Sequence, residues 1–397
     1  MSRILVWSPN YAPELTGIPP LVTDACRWLA ARGHMVEVVT AFPNYPQRRI
    51  DSAYRGSLWR SEVLDGVGVH RSWLRVRPGE SFLDKALYEA SFTALSLLRV
   101  IRRVRRADVL VCVVPSLLAA AASAGLSRAG GPRLVLWWQD LVLTAARSLD
   151  GLGPLAVRAL RGAQAAERIA LRAADRVVSC SPGFIDYLVA QGGQPERIAT
   201  VLNWVDTQWI TPTEPVASGV TRVLYAGNLG YTQGFETAIE AMRLLPDEVE
   251  LELVGDGNAA EHVRRLVVDM PRIHVRPPVP QGEFPALLAA GHVQLVLQRR
   301  VGAGANLPSK IGPYLASSRP VVASIDPTTP AAALLEESGG ALIVPPEDPP
   351  ALARALGRLH DDRGLRDDLA QRGRAYAVHA LGRDAALVRL EREFVGD

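Results

Sequence analysis

Three cysteines, Cys26, Cys112 and Cys180, are all that 397 residues contain, and each sits among apolar or small neighbours. Their separation fits neither a disulfide framework nor a metal motif, which points to buried thiols in a reducing cytoplasm. The seven histidines are scattered without paired ligand spacing, so no metal is called for. Net charge is only +3, and overall electrostatics do not ask for nucleic acid as a partner. Long apolar runs are scarce too. Val109 to Ser127 carries no charge over 19 residues, near the length of a membrane span. Pro115 splits it, however, into β-rich Val109–Val114 and alanine-rich Leu117–Leu126, which reads as strand, proline at a helix start and buried helix. Ser2-Arg3-Ile4-Leu5-Val6-Trp7 enters a strand pattern at once and leaves no room for a signal peptide.

The length exceeds one ordinary core and predicts two domains. Strands read at Ile4–Trp7, Val36–Thr40, Val67–Trp73, Val109–Val114, Leu134–Trp138 and Val177–Cys180, with helices at Leu21–Ala31, Phe82–Arg106 and Ala156–Ala174. Phe42-Pro-Asn-Tyr-Pro46 reads as a rigid surface loop. Ile210 to Gly219 is rich in Pro, Thr and Ser, and it marks a linker over 209–218. Strands then recur at Val223–Tyr225, Val249–Val254, Ile273–Val275, Val293–Leu297, Val321–Ala323 and Leu342–Val344. Pro350 to Phe394 is helical, interrupted near Gly364 and Gly382. This alternation predicts an α/β fold of two doubly wound, Rossmann-like domains facing each other, over 1–208 and 219–375.

The stretch from Gly302 to Ser324 has the most chemical content. Its small-residue loop feeds a short helix opened by Pro308 or Pro313. Such a loop gathers backbone N–H groups and a positive dipole end, which suit a phosphate, and Lys310 adds a charge. Gly227-Asn-Leu-Gly230 and Gly255-Asp-Gly257 follow strands in the same manner. Asn228 reads either as a ligand of phosphate or sugar or as a turn former, and Asp256 as a turn former. Gly17 ends the first loop and reads as a close approach to phosphate or as a plain turn glycine. Asp140 follows a buried strand; it either handles an acceptor hydroxyl or caps a helix.

Taken together, these pieces resemble bacterial retaining glycosyltransferases of the GT-B fold. The resemblance rests on the loop ending in Gly17, Leu29-Ala-Ala-Arg-Gly-His34, Gln139-Asp140, Asn203-Trp-Val-Asp206, the two glycine bends, Pro308-Ser-Lys310, and Tyr314-Leu-Ala with Arg319-Pro-Val-Val-Ala. It is nearest to family-four enzymes of the colanic-acid and exopolysaccharide type and spans essentially the whole chain. It implies an N-terminal domain that binds the acceptor and a C-terminal domain that binds the nucleotide-sugar. A final helix, 376–397, would return to the first domain. Donor-binding positions implied are Gly17, Asn228, Leu229, Gly230, Gln233, Gly255, Gly257, Val279, Arg299, Ala305, Asn306, Leu307, Pro308, Ser309 and Lys310. Asp140 and Lys310 would be catalytic, Trp137 and Asp140 acceptor-binding, while Trp7, Trp138 and Trp204, and Trp137 in the alternative, read as core residues. No metal or cofactor is implied beyond a UDP-, GDP- or dTDP-linked sugar as co-substrate, with N–H groups and basic side chains stabilising the departing diphosphate.

The chain departs from the family pattern at two glutamates, whose positions fall on Ala305 and Pro313. The loop at Asn228 and Thr232-Gln233 lacks the usual Arg and Lys, and Trp137 stands where a histidine is common. The reading is a cytoplasmic, retaining, metal-independent hexosyltransferase acting on a hexose or an amino or deoxy hexose. Its acceptor is a saccharide, a lipid-linked saccharide or a small molecule. Other readings are a non-catalytic sugar-nucleotide-binding homologue partnering an active transferase, and a nucleotide-sugar 2-epimerase. Arg99, Arg102, Arg103, Arg105 and Arg106 end the helix 82–106, either as a solvated face or as a peripheral contact with the inner membrane surface.

Overall fold

In a computed structural model of the chain, all residues are described except 16, 46–47, 78–81, 142, 144–153, 214–218, 301–306 and 397. They form two compact units, Met1–Asn203 together with Ala386–Asp397, and Trp204–Ala385. The expected linker is described only as far as Thr213; the remainder and the loop from Gly302 to Asn306 lie outside the described residues.

The first unit holds strands β1 (Arg3–Trp7), β2 (Met35–Ala41), β3 (Trp59–Leu64), β4 (Val67–Ser72), β5 (Val109–Val114), β6 (Arg133–Trp138), β7 (Arg176–Ser179) and β8 (Ile198–Thr200). Their order is β3-β4-β2-β1-β5-β6-β7-β8. Every pairing is parallel except the hairpin β3–β4. Val109 to Val114 is buried at every position, which explains a continuous apolar run in place of alternation. Strand β3 escaped the sequence reading because Trp-Arg-Ser-Glu-Val-Leu lies on an exposed edge and carries little apolar signal. The helix after β5, Leu117–Arg128, starts behind Ser116, so Pro115 precedes its cap and is not its first residue.

Two further expectations need correction here. Phe42 and Asn44 are buried, not on a surface loop, because Glu14 Oε1 accepts from the N–H groups of Asn44 (2.7 Å) and Tyr45 (2.8 Å). Trp137 cannot meet a sugar. It is 1% exposed and packs edge-on against Phe394, centroids 5.5 Å apart. That contact belongs to the last helix, Arg383–Val395, also held by Glu391 on Arg32 (2.6 Å) and His34 (2.9 Å), and by Glu393 on Arg176 (2.5 Å). All three cysteines are free and buried.

The second unit is a parallel sheet in the order β11-β10-β9-β12-β13-β14. Its strands are β9 (Thr221–Ala226), β10 (Val249–Val254), β11 (Ile273–Arg276), β12 (Val293–Leu297), β13 (Val321–Ser324) and β14 (Ala341–Val344). Helices Phe284–Ala290 and Pro330–Ser338 complete two crossovers that the sequence reading did not assign, being short and opened by proline. The C-terminal helices divide at Asp362, near Gly364. The Asp362 carboxylate accepts from Leu365 N–H (2.9 Å) and so caps the helix that contains Gly364.

Residues 204–213 are packed structure, not a free tether. Val205 bridges Gly382, and Ile210 is 1% exposed. Arg374 donates to the carbonyls of Thr207 and Ile210, both at 2.8 Å, and Arg319 donates to that of Thr213 at 2.6 Å. Partly buried guanidinium–carbonyl contacts hold a Pro/Thr-rich segment that composition alone marks as loose. No helix among the described residues is long and apolar enough to cross a membrane. Among the described residues, no group of three or more His, Cys, Asp or Glu is placed to hold a metal ion.

Candidate functional site

The two glycine bends of the second unit are interlocked at the carboxyl ends of β9 and β10. Gly227 N–H donates to Val254 C=O (2.9 Å), Leu229 N–H to Asp256 C=O (2.9 Å) and Ala259 N–H to Leu229 C=O (2.8 Å). The fit leaves no room for side chains. A Cβ on Gly255 would lie 1.8 Å from the Gly227 carbonyl oxygen, and one on Gly257 2.5 Å from that of Leu229. Asp256 acts as a turn former, its Oδ1 accepting from Gly257 N–H at 2.9 Å. The outcome is a small backbone surface on which Asn228, Asp256 and Asn258 are exposed. Their N–H groups make no hydrogen bond within the described residues. Clustered N–H groups of this kind attract anions.

Lys310 lies directly beneath this surface. Its Nζ is 3.4 Å from the centroid of the Tyr225 ring, and a Cβ on Gly227 would meet that Nζ at 3.3 Å. The residue as a whole keeps some exposure, but the ammonium end is enclosed, and burial holds its pKa well below the ordinary lysine value. Among the described residues the Lys310 amine has no hydrogen bond and no ion pair. A cation over an aromatic face is favourable, yet that face replaces only part of the lost hydration. The amine is therefore primed for an anion.

Two tyrosines fix this arrangement; the sequence reading quoted Tyr314 only as part of a family motif and did not single out Tyr225. The Tyr314 hydroxyl accepts from Ala226 N–H (2.7 Å) and donates to Ala226 C=O (3.1 Å), which ties helix Ile311–Ala316 to the end of β9. The Tyr225 hydroxyl donates to Asn228 C=O at 2.7 Å. The available signal was spacing, since Tyr314 stands four residues after Lys310 on one helical face. That helix begins at Ile311, so neither Pro308 nor Pro313 opens it; Pro308 supplies a turn carbonyl to Ile311 N–H (3.1 Å). Leu307, Pro308 and Ser309 form the turn just ahead of it.

Several expected donor contacts take other roles. Leu229 is fully buried in the core and both its backbone groups are used, so it supports the bend from within. Gln233 Oε1 accepts from Gly230 N–H (3.0 Å), and that amide closes the loop. Arg299 is tied down by Tyr231 C=O and the Glu236 carboxylate, each at 2.8 Å, so the loop carries its own counter-charge. Gly230 remains where the bend needs a small residue. Val279 is placed elsewhere, beside Arg276 and His274 in a groove of about 430 Å³ whose floor carries the buried Glu252. Ala305 and Asn306 lie outside the described residues.

In the first unit, Asp140 stands at the carboxyl end of β6, partly exposed and next to buried Gln139. Gln139 Oε1 accepts from Asn203 Nδ2 at 3.0 Å, and the Asp140 charge helps raise the Cys180 thiol, whose burial is the larger cause. Gly17 begins helix Ile18–Ala31 with φ of 83°. Its would-be Cβ has space, so the backbone angle is what requires glycine there.

Comparison with known proteins agrees with this layout. Residues 16–204 match the glycosyl transferase 4-like domain and residues 220–362 match glycosyl transferases group 1. A putative colanic acid biosynthesis glycosyl transferase, WcaI, from Escherichia coli K12 is 32% identical over 335 residues, covering 79% of this chain and 81% of that protein. Among solved structures, sucrose-phosphate synthase from Thermosynechococcus elongatus superposes with a TM-score of 0.74 at 18% identity, over 99% of this chain and 98% of that one. Anabaena HepE in complex with UDP-glucose gives 0.71 at 16% identity, over 99% of both chains. These likenesses place the fold in the GT-B class.

The interlocked bends generate a stability prediction. Gly255→Ala forces a methyl into the Gly227 carbonyl and should cost on the order of 4 kcal/mol or more, whereas Gly282→Ala, with open space around it, should stay within about 0.5 kcal/mol. Denaturant titration of the two variants decides this. Equal midpoints would contradict the close approach.

Proposed function

This chain is a glycosyltransferase of the 4-like, group 1 family, and on that premise we propose that it moves a hexose, or an amino or deoxy hexose, from a nucleoside diphosphate to an acceptor hydroxyl with retention and without a metal. The observation that carries the reading is the enclosed Lys310 amine under the exposed N–H groups of Asn228, Asp256 and Asn258. They lie at the carboxyl ends of parallel strands, where open α/β sheets bind ligands. The UDP-glucose complex of Anabaena HepE favours uridine over guanosine or thymidine as the base. The kinship with WcaI favours an acceptor used in polysaccharide building.

In the proposed step, the bond from the anomeric carbon to the diphosphate oxygen breaks while the acceptor oxygen joins that carbon on the same face. The acceptor proton leaves with the diphosphate. Negative charge grows on the departing oxygen, where fixed N–H groups and Lys310 stabilise it with little reorganisation. An anion beside a buried amine favours its protonated form, so donor binding draws a proton onto Lys310. Ala305 and Pro313 supply no carboxylate for the ribose, which other groups must hold.

The acceptor is proposed to be lipid-linked and reached at an anionic membrane surface. Helix Phe82–Val104 exposes Leu98 (49%) and Ile101 (45%) near its basic end, and the adjoining β3 exposes Trp59 (41%) and Val63 (74%). The two elements are joined by Trp59 Nε1 donating to Leu95 C=O (3.4 Å) and by Arg99 donating to Ser61 (2.9 Å). Arg102, Arg105 and Arg106 are exposed around this apolar strip, each supplying about 1 kcal/mol near anionic lipid.

Lys310→Met should weaken UDP binding about 10–100-fold, the worth of a charge-assisted contact. The Lys310 pKa is depressed on folding, so the folded state binds fewer protons and this group's contribution to stability rises with pH. Removing the amine should therefore not lower stability at pH 7. Calorimetry in two buffers of different ionisation heat should also show proton uptake with UDP that the variant lacks. Unchanged UDP affinity in Lys310→Met would sink the assignment. For the membrane, flotation should recover the protein with phosphatidylglycerol vesicles but not with phosphatidylcholine alone, and Trp59→Ser with Arg102→Glu should release it. Equal recovery with both lipids contradicts the proposed surface.

A further inference from the structure

A second polar site lies in the first unit, where the strand order reverses between β1 and β5, the place where such sheets form a ligand crevice. The first turns of helix Phe82–Val104 lie across it. Glu89 reaches the end of β5, and its Oε1 accepts from both Ser116 Oγ (3.1 Å) and Leu118 N–H (2.8 Å). Its other oxygen, Oε2, has no partner among the described residues. One turn along the same face, the Thr93 hydroxyl is buried and unpartnered, its residue only 9% exposed. Capping the helix Leu117–Arg128 accounts for one carboxylate oxygen. It leaves the second oxygen, on a partly exposed residue, open to a ligand, and the Thr93 hydroxyl without a partner.

Beside Glu89, the Tyr88 hydroxyl lies near the side chains of Asn10 and Asn44, which follow β1 and β2. Glu14 braces the same two residues, accepting from Asn10 Nδ2 at 2.9 Å and from Asn44 N–H. Tyr45, next in the loop, is 41% exposed. Two carboxylates, Glu14 buried and Glu89 partly so, repel an anion. Carboxylate acceptors, amides and an open aromatic ring suit a neutral polyol, whose hydroxyls both donate and accept.

We infer that this crevice is a hexopyranoside site in which Glu89 Oε2 receives a sugar hydroxyl and positions the acceptor. The inference rests on the transferase reading given above and names the group that reads the acceptor. Burial pushes the Glu89 carboxyl up to about 7. Near it, Tyr88 and Cys112 are raised to about 12 and stay protonated at neutral pH, and Glu14 is raised by burial as well. A hydroxyl donates more strongly to the ionised carboxylate than to the neutral acid, so binding should strengthen as pH rises through about 7.

The test titrates octyl β-D-gluco-, galacto- and mannopyranoside, below their micellar concentrations, by saturation-transfer NMR on the full chain. UDP binding is measured in parallel. At least one glycoside should bind at pH 8, and Glu89→Gln should weaken it at least tenfold and flatten the pH dependence, with UDP affinity unchanged. The glutamine keeps a carbonyl oxygen for Leu118 N–H and carries no buried charge, so melting should hold at pH 8. Ser116→Ala, which alters the cap but not Oε2, should leave glycoside affinity within twofold. A purely structural Glu89 gives the reverse pattern, with the cap variant as damaging as Glu89→Gln. That pattern, or no glycoside binding at all, overturns the inference. Loss of UDP binding by the unaltered chain would instead indict the transferase reading.

Discussion

Everything in the second unit depends on two strands ending so close together that a methyl group cannot stand between their bends. The Gly255 backbone presses on the Gly227 carbonyl, and this contact permits only glycine on one side. Because both bends spend their inner hydrogen bonds on each other, their outer N–H groups face solvent in a fixed pattern. A loop with side chains at these points would be looser and would screen those groups. The arrangement is thus a rigid, uncharged backbone surface with one amine enclosed beneath it. Its polarity comes from geometry, not from a cluster of basic side chains.

Such economy fits the departures from the family pattern. Arg299, the neighbouring cation, is neutralised by Glu236 and bound to Tyr231, so it stiffens the loop without adding free charge. Only two lysines, Lys85 and Lys310, occur in the whole sequence, and one of them sits at this spot. An arginine there would demand more hydrogen-bond acceptors than a tyrosine ring and a glycine offer. A compact ammonium, able to shed its proton when alone and regain it with an anion, fits the space.

The fold was largely legible because both sheets consist of buried parallel strands, and runs such as Val109–Val114 or Val249–Val254 announce themselves by apolar continuity. Paired glycines after strands were legible for a similar reason, since few other uses explain them. Facing direction was not legible. In β6 both faces are covered, so nothing in Leu-Val-Leu-Trp-Trp says that Trp137 meets Phe394, more than 250 positions away. Long side chains defeated the reading too. Arg299 and Gln233 carry the right chemistry near the right loop, yet tertiary partners on neighbouring residues claim their polar atoms. Glu89 looked like one more charge on an amphipathic helix, because its partners, Ser116 and Leu118, arrive from a separate strand end.

The central claim is that interlocked bends and an enclosed lysine form the seat of a diphosphate. A crystal structure of the chain with UDP addresses it most directly. The account predicts a phosphate oxygen about 3 Å from the Asn228 N–H and from Lys310 Nζ, the distance of a charge-assisted hydrogen bond. UDP seated elsewhere, with Lys310 still resting on the Tyr225 ring, would contradict it.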